Sequence, residues 1–150
     1  DVVGLTGVIS FLEKCKTKYK RGNGFYIPSG FGTWVYCGGM HKAVNYLIQS
    51  LEGVVQKKAV LLMDETIKNN GWESSVNKIL DMHDEVLYEV DKGMGVVAGQ
   101  AAMQAYTQAG IDMHNWYQEN LDLFSGGGAP LITCDFAGSY DVGQSYAECH

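Results

Sequence analysis

Residues from about Met40 to Asn69 carry one continuous apolar stripe at helical spacing, through Val44, Leu47, Ile48, Leu51, Val55, Leu62 and Ile67. The stripe predicts a single long helix, and Asn69-Asn70-Gly71 supplies the left-handed close that ends one. A helix of this length must be met by other elements along most of its stripe, and the rest of the chain contains candidates. Gly7 to Lys20 reads as a short helix with Val8, Phe11, Leu12 and Cys15 inward and Lys14, Lys16, Lys18, Lys20 and Arg21 outward. Phe25 to Tyr36 reads as a hairpin turning at Pro28-Ser29-Gly30. Asn77-Lys-Ile-Leu-Asp-Met-His-Asp-Glu-Val-Leu-Tyr-Glu-Val90 reads as two strands meeting at its polar centre. An Ala- and Gln-rich helix is expected over about Met94 to Gln118, then a loop at Ser125-Gly-Gly-Gly-Ala-Pro130 and a short strand, Leu131-Ile-Thr-Cys. The predicted class is α+β, with one small antiparallel sheet that contains the 77–90 hairpin and is backed by the two long helices.

Composition narrows the function classes. Apolar residues make up 46% of the 150 and charged residues 19%, a globular balance that excludes disorder. No apolar run approaches the length of a membrane span, so no membrane partner is expected. The N-terminus has neither an initiator Met nor a signal sequence, as expected of a trimmed start or a part of a longer chain. Cys15, Cys37, Cys134 and Cys149 form no C-x-x-C pair. The half-sites Cys37 with His41 and Cys149 with His150 have no partner pair at zinc-ligand spacing. Reduced thiols in a cytoplasm are the expectation. Net charge is −6, but residues 1–45 hold six basic against two acidic side chains and residues 46–150 hold five against fifteen. On overall charge alone nucleic acid is disfavoured; a basic N-terminal flank leaves it open.

Chemistry concentrates at Leu80 to Glu89, where adjacent acids stand at a tight turn between apolar strands. A divalent cation stabilises such a pair. Mg²⁺ takes hard oxygen donors, commonly one or two carboxylates completed by water and phosphate oxygens. A hairpin turn holds a carboxylate such as Asp84 at a set position.

Met82-His83-Asp84-Glu85-Val86 resembles the His-Asp-Glu signature, motif C, of the bacterial DNA polymerase I family (family A). His41-Lys-Ala-Val-Asn45-Tyr-Leu-Ile-Gln49-Ser50 resembles the Asn-x-x-x-Gln helix of that family's palm, in the form used by short-tailed phages. The ending, Asp135 through Gly143-Gln-Ser-Tyr-Ala-Glu-Cys-His150, is similar to the way those phage polymerases finish. Each match alone is weak; the three in order, over about residues 37–150, carry the resemblance. Residues 1–36 resemble only loosely the end of the fingers region, and 37–150 the C-terminal palm.

The resemblance implies DNA-directed DNA synthesis by two-metal phosphoryl transfer, with Mg²⁺ as cofactor and primer-template DNA and dNTP as partners. It implies that Asp84 ligates metal with Glu85 as a secondary carboxylate, and that His83 contacts the primer's terminal backbone. Asn45 and Gln49, four apart on one helical face, would reach minor-groove acceptors that every base pair offers. His41 would join them; its other reading is a capping or surface histidine. Asp64, Glu65, Asp81, Glu89 and Asp91 read as solvated faces or strand-edge charges. Trp34, Trp72 and Trp116 read as packing residues.

Lys14, Lys18 and Tyr26 nearly reproduce the family's nucleotide-holding fingers motif, but Gly22 and Gly24 would break the helix it needs. The family's second palm aspartate, fingers helix and thumb have no counterpart in the sequence, so activity is expected to need a separate N-terminal part, in the host cytoplasm if the protein is phage-encoded. A non-catalytic DNA-binding or assembly module with a palm-like shape is the alternative. A metal-dependent hydrolase of another kind would need more ligands near residue 84.

Overall fold

The computed structural model describes residues 3–82, 84–120, 122 and 135–149. In chain order these form α1 (Val3–Lys18), β1 (Lys20–Arg21), β2 (Gly24–Pro28), β3 (Trp34–Cys37), α2 (Met40–Asn70), β4 (Val76–Met82), β5 (Glu85–Val90) and α3 (Gly95–Glu119). The class is α+β, as expected, but the described strands make two small antiparallel sheets rather than one: β1-β2-β3 and β4-β5. The chain divides into two compact units, Asp1–Val54 with Asp112–Cys134, and Val55–Ile111 with Asp135–His150. The loop expected at Ser125–Pro130 and the strand expected at Leu131–Cys134 lie outside the described residues.

In the first unit α1 buries Phe11, Leu12 and Cys15, the residues its spacing selects, against β2, whose Phe25 and Ile27 are also buried. Lys16 and Lys18 occupy the last turn of α1, where they offset the partial negative charge of its carbonyls. The strand β1, not foreseen, forms because Gly22 takes a left-handed φ of 57° in a two-residue turn that lays Arg21 opposite Gly24. The β2-β3 reversal sits later than expected. Pro28 still pairs with Trp34, and the chain turns at Gly30–Gly32, with Phe31 left-handed at φ 49°.

Side chains close that turn. Ser50 on α2 donates its hydroxyl to the Leu47 carbonyl at 2.8 Å, so the 2.9 Å contact between Ser29 and Ser50 has Ser29 as donor. Thr33 donates its hydroxyl to the Gly30 carbonyl at 2.8 Å. A Cβ on Gly30 would overlap the end of Met113, so this position must stay bare.

The second unit is built around Met63, Ile67, Val76, Ala98 and Ala105, with Trp72, Tyr88, Val90 and Met94 packed beside them. Here α2 ends as its Asn-Asn-Gly predicts. Gly71 has φ 66°, its N–H donates to Lys68, and the Trp72 N–H donates to Ile67 at 2.9 Å, which together satisfy the last carbonyls. The pairing of β4 with β5 slips once: Lys78 faces Tyr88 and Leu80 faces Leu87, leaving Ile79 as a bulge. Met82 pairs with Glu85, so the connection between the strands is the two residues 83 and 84.

Residues 135–149 run back along α3 without regular structure until a single 3-10 turn at Tyr146–Glu148. Phe136 packs on Gly110, Tyr140 on Gly99 and Val142 on Gly95. Descending numbers on α3 meet ascending numbers in the tail, so the two lie antiparallel. Bare glycines on the helix make room for tail side chains.

Candidate functional site

Asp84 and Glu85 stand exposed at the β4-β5 turn, Asp84 in the connection itself and Glu85 as the first residue of β5. His83, the third residue expected here, lies outside the described residues. The turn is tied down from below. Gln56 on α2, only 4% exposed, donates its side-chain N–H to the backbone carbonyl of Glu85 at 3.2 Å. A buried amide is costly without partners, and this one finds its acceptor in the residue after Asp84. Gln56 escaped the sequence reading; the available signal was a polar side chain flanked by Val55 and Ala59 on the helix's buried side.

Tyr88 is a second neighbour that sequence did not single out. Burial, and then the charges of Asp64 and Asp81, push its phenol up to about 12, so it is a neutral donor over the whole physiological range. Asp64 is half-buried and Asp81 exposed. Both acids are felt at Tyr88.

Adjacent, exposed carboxylates supply the hard oxygen donors that suit Mg²⁺, in the number it commonly draws from protein. Among the described residues no group of three or more His, Cys, Asp or Glu side chains gathers to hold a metal ion. Two carboxylates by themselves do not fill the coordination shell of Mg²⁺. Cys37 is buried and donates to the Gly39 carbonyl at 3.1 Å while His41 is exposed, so these two do not form half of a zinc site.

Asn45 and Gln49 are both exposed on α2, in the first unit, with His41 exposed one turn earlier. The His41 ring folds back towards Gly39, where a Cβ would come within 3.0 Å of Cε1. Ser50, part of the same motif, serves the β2-β3 turn through Ser29. Lys14 and Lys18 lie on α1 while Tyr26 lies on β2, so these three do not share a fingers-type helix. Trp72 and Trp116 are half-buried as expected, but Trp34 is 45% exposed and is not a packing residue of the core. No described helix is long and apolar enough to cross a membrane. No protein-family model matches the chain, nor does any curated protein.

Proposed function

We propose that the chain is the motif C portion of a family A DNA polymerase of the phage type, contributing to template-directed nucleotidyl transfer onto a primer 3′-hydroxyl. One observation carries the reading: a two-residue hairpin turn exposes Asp84 beside Glu85 and is anchored by a buried amide, Gln56.

In this reading Asp84 offers metal-ligating oxygens at a held position, and Glu85 adds a second carboxylate beside it. When bound, Mg²⁺ would acidify the primer hydroxyl and offset the charge of the triphosphate. His83 steadies the primer terminus. Asn45 and Gln49 donate to minor-groove acceptors common to all base pairs, which serves an enzyme that must hold any sequence. Residues 1–36 correspond to the end of the fingers and 37–150 to the C-terminal palm. The second aspartate, the fingers lysine and the thumb belong to a separate N-terminal part.

Ile79, Leu80 and Met82 on β4 and Val96, Val97 and Met103 on α3 are exposed apolar side chains that a partner chain would cover. A second reading, a non-catalytic DNA-binding or assembly module, is favoured by the small carboxylate set among the described residues.

Primer extension decides between them. Mixed with an N-terminal family A polymerase part that carries the other aspartate, the chain should support Mg²⁺-dependent extension, and Asp84→Ala should abolish it. Equal extension by both would remove the catalytic role. Salt-sensitive primer-template binding unchanged by Asp84→Ala, with no extension under any condition, would favour the module.

A further inference from the structure

The outer face of the β1-β2-β3 sheet is aromatic and cationic at once. Phe25, Ile27 and Cys37 turn into the core, so by strand alternation Tyr26, Trp34 and Tyr36 turn out. Arg21 pairs with Gly24, two residues before Tyr26, and so belongs to the outer face as well. Trp34 and Tyr36 are 45% and 46% exposed, an unusual state for side chains of this size.

Their rings are held in set positions. Tyr19 meets Trp34 edge-on at 4.9 Å between centroids, and Tyr26 meets Tyr36 at 5.5 Å and 65°. The Tyr36 hydroxyl donates to the Arg21 carbonyl at 3.4 Å. Positive charge borders the rings: the Lys18 ammonium lies 5.2 Å from the Tyr19 centroid. Tyr19, Lys20, Arg21, Tyr26 and Trp34 line an open depression of about 500 Å³. These residues fall in the basic flank of an otherwise acidic chain.

We propose that this face binds single-stranded nucleic acid, with bases stacking on Trp34 and Tyr36 while Lys18 and Arg21 take the phosphates. Exposed rings beside basic side chains suit unpaired bases, which expose their faces; a duplex hides them between its own neighbours. An apolar partner protein would explain the rings but not the cations around them. The residues are distant in sequence from Asp84, and the proposal holds or fails apart from the polymerase reading.

Fluorescence anisotropy with a labelled oligothymidylate of about twelve nucleotides, compared with a blunt duplex of the same length, provides the test. The full chain should bind the single strand more tightly than the duplex. Trp34→Ala and Tyr36→Ala should each weaken single-strand binding by about tenfold, and Trp34→Phe should keep most of it. Arg21→Gln should lower the slope of log affinity against log salt by about one. Far-UV circular dichroism checks that each variant folds; should Trp34→Ala fail, Tyr36→Ala and Arg21→Gln still decide. The proposal is overturned if the chain binds no single strand, if duplex and single strand bind alike, or if folded aromatic variants bind as wild type does. A glutamate-rich peptide that binds in a Trp34-dependent way, while the oligonucleotide does not, would make this face a protein-docking surface and would equally overturn it.

Discussion

Gln56 and Glu85 are joined by a side-chain-to-backbone hydrogen bond, with Nε2 of Gln56 donating to the Glu85 carbonyl at 3.2 Å from a nearly fully buried position on α2. The bond fixes the backbone immediately after Asp84, so a helix side chain with no role in ligation sets where the exposed carboxylate stands. Replacing Gln56 by Leu keeps most of the volume and removes the donor of this bond. That should cost about 0.5–1.5 kcal/mol. Thermal unfolding should shift down by several degrees, and the amides of β4 and β5 should exchange faster with solvent. Unchanged melting and exchange would show that the turn holds its own shape.

Asp84→Asn and Glu85→Gln separate fold from function. Both residues are exposed, so each substitution should alter stability by no more than about 0.5 kcal/mol by thermal or denaturant unfolding. In a reconstituted polymerase, Asp84→Asn should abolish extension, while Glu85→Gln should retain part of it. Loss of folding in Asp84→Asn would point to a structural role for the turn and away from catalysis.

Gly99 sets two opposing effects against each other. Alanine there gains up to about 1 kcal/mol in helix propensity. Its Cβ, however, would overlap the Tyr140 ring, and a forced shift of packed groups typically costs about 1–3 kcal/mol. The clash should win, so Gly99→Ala should melt below wild type. In Gly99→Ala with Tyr140→Ala the clash is gone and the two losses should fall short of additive, a coupling that a double-mutant cycle measures. Additive losses would mean the tail does not rest on α3.

Alkaline stability should follow the buried phenols. Burial and the charges of Asp64 and Asp81 push Tyr88 up to about 12, and burial pushes Tyr117 higher still. An unfolded tyrosine ionises near pH 10. The fold therefore favours the neutral phenols: their contribution is whole below about pH 10 and is lost as pH rises from there through the folded value. Tyr88→Phe should make stability fall less steeply over that window, and Asp64→Asn should lower the pH at which Tyr88 ionises, as followed by ultraviolet difference titration. A Tyr88 that ionised near pH 10 in the folded chain would place it in water.

What the sequence determined by itself is the set of local decisions. Helical periodicity placed α2, and an Ala- and Gln-rich run placed α3, to within a residue or so, and Asn70-Gly71 closed α2 because a left-handed residue there satisfies the helix's last carbonyls from within the same stretch. The Met82–Glu85 turn was legible for the same reason, since two short runs of strand residues flank it directly. The identity of the acids was legible too, but not what holds them. Tertiary structure alone decided that Ile79 bulges and that Trp34 faces outward. It alone brought Gln56 to Glu85 and seated Tyr140 on Gly99. Register, burial and buried hydrogen bonds depend on partners far along the chain, here 29 residues apart for Gln56 and Glu85, and no local pattern encodes which partner arrives.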